Sequence, residues 1–144
     1  MIKLTDDLWI GSADEKIGNI HTVGIVSVLN VAQDLRGVCG WPDVEYAQVG
    51  LIDGPGNLAA AYYAAVLVLA MLLKRGRVLV FCHSGGRSLA VALMYLSVLT
   101  RIEWDRCFDM VRERVDVDLP AMHPAHKEVF DKMDHKFLAD AVGE

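Results

Sequence analysis

The sequence predicts an α/β fold, a small central, mostly parallel sheet flanked by helices, and three observations carry that expectation. "RVLVF", residues 77–81, is a continuous apolar run, as expected of a strand in the middle of a sheet with both faces covered. Strand-like runs alternate with helical patterns through the first two thirds of the chain, and only helical patterns follow. The length of 144 residues fits one domain around one core, so residues 1–144 are read as a single domain.

Taken in order, "LWIG" and "IVSVLN" have the composition of short strands. "SADEKIGNIHTVG" between them reads as a helix or turn, with Ser12 as a cap and Gly24 where a helix stops. "DLRGVCGWPD", Asp34 to Asp43, is loop, because two glycines and a proline break any periodicity. "VEYAQVGL" is the next strand and "IDGPGN" a turn. Leu58 to Leu73 is a nearly continuous apolar helix with Asn57 as its N-cap. It is shorter than the ~20 residues a membrane span needs, so it reads as a core helix. "SLAVALMYLSVL" and "EWDRCFDMVRERV" are helical, and Trp104, Cys107, Phe108 and Val111 fall at helical spacing in the second. "HKEVFDKMDHKFLADAV" reads as one further helix, with Val129, Phe130, Met133 and Phe137 on one stripe.

Composition narrows the function. Hydrophobic residues make up 53% and charged residues 23%, the balance of a globular chain. A formal net charge of -5 without a basic run argues against a nucleic-acid surface, yet allows an anionic ligand in one local pocket. The three cysteines, Cys39, Cys82 and Cys107, are odd in number and widely spaced, so they form neither a disulfide framework nor a zinc pair. His21, His123, His126 and His135 show no convergent metal spacing. The start of the chain lacks the charged and apolar regions of a secretory signal, and a cytoplasmic setting is expected. No membrane partner and no cofactor are expected, and oligomeric state leaves no mark on the sequence.

The chemistry concentrates in "FCHSGGRS", residues 81–88. A strand that ends in a tight turn and opens a helix presents unpaired backbone N–H groups and the positive end of a helix dipole. Gly85 and Gly86 allow successive N–H groups to turn inward into a nest, and Arg87 adds a planar fork suited to two phosphate oxygens. A thiol at the base of such a nest is stabilised as thiolate, which makes Cys82 a candidate nucleophile. Ser88 is close enough in sequence to hydrogen-bond the sulfur and help it leave in a second step. His83 and Ser84 complete the loop as candidate ligand contacts. Departure of an alkoxide or phenoxide calls for a proton donor, and Asp53 at a strand end in "LIDGPGN" is the candidate. Its bland alternative is an Asx-type turn residue. Cys39 and Cys107 read as structural, and Trp9, Trp41 and Trp104 as core or lid, with Trp41 a candidate to flank a substrate.

These residues resemble the cysteine-dependent protein phosphatases, in particular the compact dual-specificity type, over most of the chain. "LWIGSADEK" resembles the opening strand and helix of that family, and "VGIVSVLNVA" its next strand. "LIDGPGN" resembles its general-acid loop, and "RGRVLVFCHSGGRSLAVALMYL" its phosphate-binding loop with the flanking strand and helix. Arg112 and Arg114 followed by "HPAHKEVF" resemble its helical tail. The resemblance implies a phosphocysteine mechanism without metal: Cys82 attacks phosphorus, Arg87 and the loop amides hold oxygens, Asp53 protonates the leaving group, and water hydrolyses the intermediate. It also implies a phosphorylated protein or small phosphoester as substrate.

The loop departs from that pattern in two places. Four residues, His83 to Gly86, separate Cys82 from Arg87, one fewer than in the family, and Phe81 stands where the family has histidine. The shorter spacing is similar to that of rhodanese-type sulfurtransferases, in which the cysteine carries a persulfide. Two alternatives therefore stand beside the phosphatase: an anion- or phosphoprotein-binding module without turnover, and a sulfurtransferase.

Overall fold

The computed structural model describes residues 1–13, 20–35, 41 and 43–143. Five strands form one sheet: β1 (Ile2–Lys3), β2 (Leu8–Ser12), β3 (Ile25–Ala32), β4 (Glu45–Leu51) and β5 (Arg77–Cys82), in the spatial order β1-β2-β5-β3-β4. Among the described residues only the β1–β2 pair is antiparallel; β2–β5, β5–β3 and β3–β4 are parallel. The apolar run 77–81 thus belongs to the middle strand, as its composition requires. Its side chains alternate between two cores. Val78, Val80 and Cys82 join the main core, while Leu79 and Phe81 enter a smaller one with Ile20, Ile25 and Val28.

The helices are α1 (Ala59–Leu73), α2 (Gly86–Thr100), α3 (Trp104–Arg114), α4 (Pro124–Phe130) and α5 (His135–Val142). Buried residues of all five pack on the main core, among them Leu69, Leu89, Val111, Phe130 and Leu138. The smaller core is closed by a 3-10 turn, Ile20–Val23, and by Trp41, which meets Phe81 edge-on at 6.0 Å between ring centres. Trp41 is half-buried against this smaller core. Gly24 follows the 3-10 turn with φ +79° and ends it, as its type predicts.

Two local expectations are corrected. The last helical pattern is two helices, because the Asp134 carboxylate accepts from Phe137 N at 3.0 Å and starts a new one. Phe137 is then exposed while Leu138 takes the buried position. Asn57 does not cap α1: Leu58 occupies the N-cap without a side-chain bond, and the Asn57 amide is committed elsewhere. Ser12 is the last residue of β2, and the helix it was expected to cap falls on residues 14–19, outside the described residues. Cys39 and most of the 34–43 loop lie outside them too. No helix among the described residues is long and apolar enough to cross a membrane.

Candidate active site

Because β3, β4 and β5 run parallel, their carboxyl ends share one edge, and the segments that follow them converge there. Cys82 ends β5, Asp34 lies two residues past β3, and Asp53 two residues past β4. The sheet register alone brings these three loops together.

The turn after β5 closes on the sulfur. Gly85 N donates to Cys82 Sγ at 3.1 Å and Ser88 N at 3.4 Å, and the cysteine is fully buried. Gly85 sits at φ +97°, a conformation side chains resist. Gly86 is needed for a different reason: a Cβ there would lie 2.4 Å from the Ala121 carbonyl oxygen of the strap that crosses the loop. The glycine pair therefore serves both inward-turned amides and a close approach of backbone to backbone.

Ser88 reaches the sulfur by its amide rather than its hydroxyl, which points at Gly11 O, 3.4 Å away. The expected side-chain bond to the thiol is thus replaced by a main-chain one. His83 and Ser84 are exposed on the crown of the turn. Ser84 and Gly85 line a small hollow with Ser12, Asp118 and Pro120, separate from the cleft that holds Arg87.

Arg87 is 3% exposed, and its Nη1 donates to Asp34 Oδ1 at 2.7 Å and to Leu51 O at 2.8 Å. This bond holds the Asp34 carboxyl below the usual carboxylate range, against a smaller opposing effect of burial. Gln33, Asp34, Ile52, Asp53 and Arg87 line one cleft of about 360 Å³. A larger groove of about 490 Å³, lined by Ser97, Arg101 and His135 among others, contains neither Cys82 nor Arg87 and is remote from this chemistry.

Asp53 is half exposed and faces a fully buried histidine, His126, whose Nε2 lies 3.6 Å from Asp53 Oδ1. His126 Nδ1 is 2.7 Å from Tyr62 Oη, and Asn57 Nδ2 donates to the same phenol at 3.0 Å. Burial pushes the His126 imidazole down from its ordinary range; Asp53 opposes this, while His123 and Arg87 reinforce it. Burial likewise pushes the Tyr62 phenol up. Cys107 is buried with its thiol on Ile102 O at 3.4 Å and is pushed up by burial, consistent with a structural role.

The sequence missed Asp34, Tyr62 and His126. A signal existed for Asp34, an acid immediately past a predicted parallel strand. For His126 there was none, since its partners lie 64 and 73 residues away in the chain.

No protein-family model and no curated protein matches the sequence. Solved structures do match it. Human DUSP28 superposes with a TM-score of 0.78 at 20% identity, over 99% of this chain and 98% of that one. A mouse putative dual specificity phosphatase complexed with zinc tungstate gives 0.78 at 23%, over 98% and 90%. A Cys-to-Ser variant of P. aeruginosa TpbA in complex with phosphotyrosine gives 0.68 at 14%, over 97% and 88%. The high superposition over nearly the whole of this chain shows that it has the fold of the dual-specificity phosphatases.

Proposed function

We propose that the protein is a cysteine-dependent phosphoester hydrolase, acting on a phosphorylated protein or a small phosphoester. The observation that carries this reading is the convergence of two backbone N–H groups on Cys82 Sγ at the start of the helix that bears Arg87. Hydrogen bonds of this kind favour a negative charge at the sulfur and at any oxyanion resting against it. In the proposed reaction the Cys82 thiolate attacks phosphorus and the bond to the leaving oxygen breaks. Asp53 gives that oxygen its proton, while Arg87 and the loop amides hold the remaining oxygens. The Asp53 carboxylate then takes a proton from water, which attacks the phosphocysteine and releases phosphate and the thiolate. Ser88 acts through its amide. His83, Ser84, Gly85 and Gly86 form the rest of the loop, and no metal takes part.

Two crystal structures of similar fold hold the corresponding chemistry, an oxyanion in one and phosphotyrosine in the other. They support a phosphate-shaped ligand here. A second reading, a phosphate-binding module without turnover, is favoured by two observations: the sulfur is fully buried, and Arg87 is already paired with Asp34. Turnover requires the incoming phosphate to compete with that carboxylate.

The test is release of inorganic phosphate from an aryl phosphate. The wild-type chain is expected to turn over and Cys82→Ser to lose all of it. Saturable phosphate or tungstate binding without turnover would establish the module instead. Thiocyanate formation from thiosulfate and cyanide would point to sulfur transfer, which the four-residue spacing keeps in play.

A further inference from the structure

A run of hydrogen bonds behind Asp53 dictates where every proton sits. Ile52 N–H must meet an oxygen and Ile52 C=O must meet a donor. The Asn57 side chain satisfies both, with Oδ1 accepting at 2.8 Å and Nδ2 donating at 2.8 Å. The amide orientation is therefore fixed by the backbone of the turn that carries Asp53. Asn57 Nδ2 also donates to Tyr62 Oη at 3.0 Å, with Gly54 O farther off at 3.3 Å, so the phenol oxygen accepts there and its single proton is free to point elsewhere. The other neighbour of that oxygen is His126 Nδ1 at 2.7 Å. An imidazole that accepts at Nδ1 and is kept neutral by burial carries its proton on Nε2. That N–H is fully buried, has no hydrogen-bond partner, and faces Asp53 Oδ1 from 3.6 Å.

We propose that His126 is a positioning residue for Asp53: its Nε2–H closes onto Oδ1 of the carboxyl group and leaves the transferable proton on Oδ2. The inference rests on Asp53 being the general acid. The gap of 3.6 Å is a few tenths of an ångström beyond a hydrogen bond, and Asp53, half exposed in a turn, is the partner able to move. His126 is fully buried, held to Tyr62 on α1 and beside His123 at the head of α4. When the leaving oxygen takes the Oδ2 proton, a negative charge appears on the carboxylate. The Nε2–H bond strengthens at that moment, which is the condition for accelerating the step rather than only binding substrate. The other groups facing His126 are cationic or neutral, so Asp53 is the carboxylate the ring has within reach.

Two measurements on the full chain test this. Long-range proton–nitrogen spectra of the histidine side chains report the tautomer without any need for turnover. His126 is expected neutral and protonated on Nε2 near neutral pH, with that nitrogen shifted in Asp53→Asn. A proton on Nδ1, or a charged ring at that pH, would overturn the proposal. The second is a series of aryl phosphates from nitrophenols to unsubstituted phenol. In His126→Phe, kcat/KM is expected to fall about tenfold or more for the poorest leaving groups and little for the best, a part of the ~100-fold a general acid contributes. His126→Gln, whose side-chain amide donates from a similar place, should recover part of the loss. An equal loss across the series, or none, refutes the positioning role. If Phe prevents folding, the Gln variant and Tyr62→Phe, which frees the ring to change tautomer, make the same comparison. Absence of turnover in the wild type with every phosphate would remove the phosphatase reading, while the spectra would still decide the geometry behind Asp53.

Discussion

The Arg87–Asp34 pair shows how much one side chain governs here. Arg87 is buried with a half-exposed carboxylate as its charge partner, so the pair links the site to acid stability. The folded state lowers the Asp34 pKa, which contributes stability above the ordinary value of 3.8 that is lost as pH falls through the lower folded value. Solvent at Asp34 limits the size to about 1 kcal/mol or less. Asp34→Asn is expected to lose that increment near neutral pH and to show a flatter acid limb in urea denaturation series; an unchanged limb would show that the pair is energetically silent. His126 has the same sign from a different cause. Its folded pKa lies below 6.5, so the unfolded chain binds the proton first and stability declines as pH falls below that value.

At the scale of elements, the break between α4 and α5 is the clearest local device. Asp131, Lys132 and Met133 turn through main-chain bonds to Lys127, Val129 and Phe130, and Asp134 then caps the next helix. Asp134 N also donates to Tyr63 Oη, tying the break to α1. Asp134→Ala is expected to destabilise the chain by about 1 kcal/mol, the usual value of an N-cap, measured as a shift of the urea midpoint with unchanged slope. No shift would mean that the packing of Leu138 alone sets the start of α5. The helix before it, α4, matters to the site through its position, since its start places His123 and His126 beside the Asp53 turn.

For the whole molecule, the central strand β5 stands between the two cores, with Leu79 on one side and Val80 on the other. A chain of this size with both cores sharing one sheet is expected to unfold as a unit. Leu79→Ala and Leu69→Ala remove side chains from opposite faces, and each is expected to cost roughly 2–5 kcal/mol. Far-ultraviolet circular dichroism and tryptophan fluorescence should report coincident transitions in both variants. Two separated transitions would contradict the expectation of a single domain.

Strands β2 to β5, the central place of residues 77–81 and the cysteine turn were legible because each depends on neighbours close in sequence, while the two-residue β1 is too short to leave a pattern. Apolar runs, glycines and a strand-to-helix change are local signals, and they sufficed for the fold class. They did not settle where one helix stops and the next begins near Asp134, because the 3.6-residue pattern continues through a turn of similar composition. They were silent about Asp34 against Arg87 and about the order Asn57, Tyr62, His126, Asp53. Those contacts join residues on β-sheet loops, α1, α2 and α4 that only parallel strand register and helix packing bring within hydrogen-bond distance. The sequence by itself determined which residues could do chemistry; the tertiary structure decided which of them share a proton or a charge, because those interactions depend on distance in space and not along the chain.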